Sequence, residues 1–206
     1  MTTTYCTVAD VSDFLRVPIT ATTTPNKTQV EKIINRKEEE LDRRIGHTFG
    51  RTKTASKEIH DLPLLYTYGW GSPIFLRHRE VKDIDASEGD KIEVWNGSTY
   101  EDQTANTGNI HNLEGELGKL YFRGYIFTIM RKSRIRVTYR YGSATVPPDV
   151  ADACIKLTAI DLINSSFRMD ILPVGANGVD WSASKSDWRA DIENCVDNRQ
   201  ELFFIP

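Results

Sequence analysis

Residues 137–154 read VTYRYGSATVPPDVADAC, and two periodicities meet in them at a pair of prolines. Upstream, Ile135, Val137, Tyr139 and Tyr141 alternate with Arg134, Arg136, Thr138 and Arg140. A period of two places each set on its own face of a β-strand. Downstream, Val150, Ala153, Cys154, Leu157, Ile160 and Ile163 recur at helical spacing. Pro147-Pro148-Asp149 between them is a good helix start, because proline is tolerated in the first turn, where its missing N–H has no intrahelical partner anyway. A strand therefore hands over to a helix near residue 147. The fold follows from asking how far each period extends.

Toward the N-terminus the strand period holds back to about residue 51. Short strands are expected at Thr52–His60, Pro73–Arg77, Val81–Ile84, Lys91–Trp95, Lys119–Arg123 and Arg134–Tyr141. Asn96-Gly97, between Trp95 and Tyr100, is a strong hairpin signal, and Glu88-Gly89-Asp90 is a second turn. The polar stretch 101–116, EDQTANTGNIHNLEGE, reads as a loop or irregular hairpin. The middle is thus mainly antiparallel β.

Helices occupy the rest. The first is short: Thr7 is its N-cap, Asp10 completes a weak capping box, Val8, Val11 and Leu15 share a face beside Phe14, and Pro18 ends it. The second starts near Pro25–Asn26 and runs to Ile45, with Val30, Ile33, Ile34, Leu41 and Ile45 as its apolar stripe and Gly46 as its stop. RKEEELDRR, residues 36–44, gives it a dense mixed-charge face. At 1.5 Å per residue such a helix is about 30 Å long. A third helix follows Pro148 and closes at Asn164-Ser165-Ser166. After a loop with two glycines and a proline, a fourth runs from about Lys185 to Gln200 and buries Trp188, Ile192, Cys195 and Val196. Neither helical pair can bury its stripe alone, so the two pairs must pack together. The expected fold is α+β: a four-helix frame, two N-terminal and two C-terminal helices, formed by 1–50 and 142–206, with an inserted antiparallel β-rich subdomain at 51–141.

Composition narrows the function. Hydrophobic residues make up 39% and charged residues 27% of 206, ordinary for a globular protein. A net charge of -3 gives no whole-chain basic footprint for gripping nucleic acid, but leaves room for a passive wall along which DNA slides. No apolar run approaches the roughly 20 residues of a membrane span, and MTTTYCTVADVSDF lacks the pattern of a secretion signal. Cys6, Cys154 and Cys195 form no CxxC pair and read as small buried hydrophobes. His47, His60, His78 and His111 include no i,i+4 pair and no HExxH, so no metal site is expected. Phosphate loops, GxSxG elbows and calcium loops are absent from the sequence. Catalytic residues and cofactors are therefore expected to be none.

Three features remain. Arg131, Lys132, Arg134, Arg136 and Arg140, interleaved with Tyr139 and Tyr141, could meet DNA or a neighbouring acidic face, but on a strand they read first as a solvated face with the tyrosines inward. Tyr68-Gly69-Trp70-Gly71 reads as a turn with an exposed ring, or else as an aromatic site for a sugar or partner. Leu202, Phe203, Phe204, Ile205 and Pro206 are an apolar end to the chain, which either folds back on its own core or docks into a partner.

Thr7-Val8-Ala9-Asp10-Val11 with Phe14-Leu15, Leu41-Asp42-Arg43-Arg44-Ile45-Gly46-His47-Thr48-Phe49, and Val137–Gly142 with Pro147–Cys154 together cover about half the chain. They resemble, in order, the opening helix, the helix-to-strand turn and the last-strand-to-helix passage of the head-tail adaptor (connector) family of tailed viruses of bacteria and archaea. The last passage is the most specific. The resemblance implies a non-catalytic structural virion protein at the head-tail junction, assembled in the host cytoplasm with no membrane contact. Its partners would be further copies of itself in a ring, usually a dodecamer, the portal above, and a neck or tail-completion protein below. DNA would pass through the lumen without specific binding. The role of reaching back to the portal would fall on Leu202, Phe203, Phe204, Ile205 and Pro206. In such a ring the charged face formed by Lys37, Glu39, Glu40, Asp42, Arg43 and Arg44 is expected to meet the next subunit. The strand-rich middle departs from the family's shorter members, and Leu64–Ser72 and 101–116 have no counterpart there. The alternative reading is a β-sandwich binding module for a glycan or protein, on a helical base, with Tyr66, Tyr68 and Trp70 as its contacts.

Overall fold

The computed structural model describes residues 3–61, 71, 73–108, 111–122, 135–165 and 181–199. The chain divides into two units, residues 1–50 with 144–206 and residues 51–143. Among the described residues there are four α-helices and seven strands, and every strand pairing is antiparallel, so the class is α+β.

The first unit holds α1 (Val8–Leu15), α2 (Lys27–Ile45), α3 (Pro148–Asn164) and α4 (Trp181–Arg199). Both N-terminal helices begin with full capping boxes, which satisfy two of the orphan N–H groups at each start. Thr7 pairs with Asp10 in α1, and Asn26 with Gln29 in α2. Gly46 ends α2 in the left-handed conformation at φ 82, with its N–H on the Asp42 carbonyl at 2.8 Å. Pro148 opens α3 as its first residue, after Pro147 as cap. The expected stripes meet in one core: Val11, Val30, Ile34, Leu41, Val150, Cys154, Leu162 and Ile192 all lie within it. Phe14 of α1 packs on Trp188 of α4 with ring centroids 4.9 Å apart. Helix α4 starts four residues before the Lys185 expected from its apolar pattern, because its first turn carries only Ser and Ala after Trp181 and shows no stripe.

The second unit holds β1 (Lys53–His60), β2 (Ile74–Phe75), β3 (Lys91–Trp95), β4 (Tyr100–Asp102), β5 (His111–Glu114), β6 (Lys119–Phe122) and β7 (Ile135–Tyr141). They form a four-stranded sheet, β1-β7-β3-β4, and a three-stranded sheet, β2-β6-β5. Strand β7 is central, and Ile135, Val137 and Tyr139 are fully buried, as the alternation requires. Its pairing with β1 contains a one-residue bulge between Ala55 and Glu58, where Lys57 adopts φ 56 and its N–H turns to Thr138 Oγ1 at 3.2 Å. Asn96-Gly97 makes the β3–β4 hairpin, with Trp95 opposite Tyr100.

Two expectations need correction, and one open alternative is decided. Val81–Ile84 is not a strand: Val81 makes one bridge to Tyr141, after which Asp85 caps a 3-10 turn at Ala86–Glu88 and turns the chain away. For 101–116, expected as a loop or irregular hairpin, the structure favours the hairpin, since the stretch contains β5, paired along its length with β6. The arginines of β7 are not simply solvated. Arg136 Nε donates to Glu93 at 2.7 Å and its guanidinium lies 4.3 Å from the Tyr100 ring centroid. Arg140 Nε reaches Asp90 at 3.1 Å, a carboxylate with no exposed surface. Burying a carboxylate is favourable only when it is paired in this way. These two cations are therefore neutralised within the sheet rather than offered to DNA. Arg131, Lys132 and Arg134 lie outside the described residues.

Candidate functional site

Helix α2 carries the charged face singled out above, and its 3.6-residue period sorts that face into three groups. Pointing inward with Ile34, Leu41 and Ile45 are Glu38 and Asp42, both buried. Glu38 Oε1 accepts the N–H groups of Thr4 (2.6 Å) and Tyr5 (2.8 Å). Asp42 accepts the Tyr5 hydroxyl, and the Thr48 hydroxyl at 3.1 Å, while Phe49 N–H donates to Tyr5 Oη at 3.0 Å. Glu38 fastens the segment before α1 to the middle of α2, and Asp42, in the last turn of α2, ties that segment and the one after α2 to the helix end. Asp42 is therefore withdrawn from the expected subunit-facing set, because its carboxylate is consumed inside the core.

Along the flanks, charges meet neighbouring helices of the same chain. Lys37 Nζ lies 3.0 Å from Glu40 and 3.8 Å from Asp161 of α3. Arg36, which belongs to the outward face, also reaches Asp161 at 3.4 Å, and Arg44 on the flank pairs with Glu193 of α4. Lys156 of α3 bridges Asp152 at 2.7 Å and Asp191 of α4 at 2.6 Å. Burial alone would lower the Lys156 ammonium, but these two carboxylates outweigh it and raise its pKa. Arg199, in the last turn of α4, binds Asp149 in the first turn of α3 at 2.6 Å, which holds the Asp149 carboxyl below its usual range.

The third group faces outward. Lys32, Arg36, Glu39 and Arg43 recur at steps of four, three and four residues and are all exposed. With Asn35, Lys37, Glu40 and Asp161 they line an open groove of ≈ 640 Å³ on α2. Lys32 lies before the charge run that begins at Arg36, and Arg36, though within the run, is outside the expected subunit-facing set, which starts at Lys37. Continuing the helical steps backward from Arg43 would have found them. Of the expected set, Glu39 and Arg43 are outward, Lys37, Glu40 and Arg44 flank, and Asp42 is inward. Leu202, Phe203, Phe204, Ile205 and Pro206 lie outside the described residues, as do Tyr66, Tyr68 and Trp70.

The other chemistry-bearing residues are structural. Cys6 and Cys154 bring their sulfurs to 3.6 Å in the helical core, and the contact with Cys6 together with burial pushes the Cys154 thiol up. A thiol held protonated is a poor nucleophile. His111 is buried, its Nε2–H donating to the Gln103 carbonyl at 2.9 Å, and burial lowers its pKa. Glu58 of β1 accepts from Tyr139 Oη at 2.6 Å and from Arg77 N–H at 2.8 Å, and lies 2.9 Å from His60 Nε2. Burial works to raise the Glu58 pKa, but these contacts outweigh it and hold it below the usual glutamate range. The cluster staples β1 to β7. Among the described residues no group of three or more His, Cys, Asp or Glu is placed to hold a metal ion. No helix among them is long and apolar enough to cross a membrane.

No family model and no curated protein matches the sequence. Among solved structures, a chain of the virion of a native gene transfer agent particle aligns over 96% of this chain and 90% of that chain, at 13% identity and a TM-score of 0.50. A chain of the neck of an empty gene transfer agent particle, computed with C6 symmetry, aligns over 91% of this chain and 87% of that chain, at 13% identity and a TM-score of 0.47. At this identity the likeness is one of fold.

Proposed function

We propose that this chain is a structural, non-catalytic component of the neck of a tailed, phage-like particle: a head-tail adaptor whose copies form a ring below the portal. The observation that supports this best is the fold shared with a virion chain along nearly the whole length of both. The sequence passages resembling the adaptor family point the same way. In this reading the helical unit builds the ring and the strand-rich unit is the elaborated part. The outward charges of α2, Lys32, Arg36, Glu39 and Arg43, meet the next copy. The apolar end, Leu202 to Pro206, docks into the portal, whose burial of four large side chains would offset the cost of ordering them. The ring would extend the DNA channel and present a surface to the next neck protein, with an acidic net charge that gives DNA no grip.

Electron microscopy of the protein mixed with the portal of the same particle tests the assignment. Rings stacked on the portal are the expected result, and their absence overturns it. Removing Phe203–Pro206 should leave a folded chain that no longer stacks. Stacking at the wild-type level would leave the ring and remove the tail from it.

A further inference from the structure

Helices α2 and α4 expose opposite charges. On α2 the exposed charged residues are Lys27, Lys32, Arg36 and Arg43 against Glu39, four cations to one anion. On α4 they are Asp187, Asp191, Glu193 and Asp197 against Arg189, four anions to one cation. The outward line of α4 is Asp187, Ala190, Asn194 and Asp197, at steps of three, four and three residues, all exposed. Asp191 and Glu193, by contrast, are engaged with Lys156 and Arg44 of their own chain. Asp187 and Asp197 make no ion pair among the described residues.

The two lines also match in length. Lys32 to Arg43 spans about 16 Å of helix and Asp187 to Asp197 about 15 Å. Ala190 and Asn194, between the two aspartates, are short enough to let another helix approach. On α2 the facing surface is the open groove beside Lys32, Arg36 and Arg43.

We propose that the outward face of α4 of one copy docks on the outward face of α2 of the next, with Asp187 and Asp197 set against Lys32 and Arg43. The partner is a second copy of this chain, so the inference rests on the ring reading above and names its contact. Because the two faces differ, the contact is heterologous, and repeating it generates a ring when the rotation closes. Duplex DNA suits the α2 face less well, since Glu39 sits in the middle of the stripe.

The test uses the full chain and a charge exchange between copies. One variant carries Lys32→Glu with Arg43→Glu, the other Asp187→Lys with Asp197→Lys. All four positions are exposed, and circular dichroism and thermal unfolding confirm that each variant folds as the wild type does. In sedimentation velocity at about 0.05 M salt the wild type should self-associate, and it should dissociate toward monomer at about 0.5 M, because exposed pairs are screened. Each variant alone should self-associate about tenfold or more weakly, since every contact then sets like charges together. An equimolar mixture should restore assembly, because the reversed α2 face of one variant meets the reversed α4 face of the other, and the two unreversed faces meet likewise, each pair opposite in sign.

Rescue by mixing is specific to an α2–α4 contact. Variants that assemble alone as the wild type does, or a mixture without rescue, overturn it. So does an α2 variant that loses only affinity for duplex DNA. A wild type that stays monomeric at low salt overturns it too. If that same protein still stacks on the portal, the neck assignment stands and only this contact falls.

Discussion

Glu38 and Glu39 are neighbours of the same type with opposite fates. Glu38 is fully buried and accepts two backbone N–H groups, whereas Glu39 is exposed on the groove. Leaving buried donors without an acceptor costs about 1–3 kcal/mol per group. Glu38→Ala is therefore expected to lower stability by about 2 kcal/mol or more, and Glu39→Ala to stay within about 0.5 kcal/mol of wild type. Urea unfolding of the two variants, side by side, checks both. The distinction is legible in the sequence: positions 34, 38, 41 and 45 fall on one helical face, so Glu38 travels with Ile34, Leu41 and Ile45. Asp42, four residues after Glu38, follows the same rule and was misread as surface because a dense charge run suggests a solvated face. Beyond Thr48, six residues after Asp42, the partners of these carboxylates were not legible. Tyr5 and Thr4 lie more than 30 residues away, and nothing local to α2 names them.

Among the elements, the helices announce themselves by local chemistry: a capping box before α1, a glycine after α2, and a proline at the start of α3. Strands depend on partners distant in sequence. Nothing in Val81–Ile84 says that it fails to pair, and nothing in the polar run His111–Glu114 says that β6 will pair with it. The sheet order β1-β7-β3-β4 is of the same kind, since β1 and β7 are separated by most of the unit. Their union is secured by Glu58 as well as by the ladder, and this makes it sensitive to acid. The folded-state pKa of Glu58 lies below its unfolded value, as does that of Glu93, where the Arg136 hydrogen bond is the main cause. Each ionised carboxylate therefore contributes stability that is fully present above the unfolded glutamate value of about 4.3. That contribution is lost as pH falls through the lower folded value. Glu58→Gln should be clearly less stable than wild type at pH 7, with the gap closing as pH falls below about 4. Urea melts of both proteins from pH 7 to pH 3 measure it. A gap that is constant or widens on acidification would show that the ionised form of Glu58 does not matter to the β1–β7 union.

At the scale of the whole chain, the helical unit is assembled from two stretches far apart in sequence, and its core draws on all four helices. The ends of those stretches meet. A Cβ on Gly50 would stand 2.6 Å from Val146 Cγ2 and 2.8 Å from Thr4 Cγ2, so the chain leaves the helical unit and returns to it at nearly the same point. Residues 51–143 can then be replaced by a flexible linker of about four residues, whose reach exceeds what the gap requires. The shortened chain should unfold cooperatively with a helical circular dichroism spectrum, because among the described residues none of its core is contributed by the excised unit. If the helical unit alone builds the ring and docks on the portal, the shortened chain should also stack on portal rings as the full chain does. A shortened protein that folds but does not stack would move the docking surface to the strand-rich unit, away from α2, α4 and the apolar tail. Failure to fold would instead show that the strand-rich unit supports the helices as well as interrupting them.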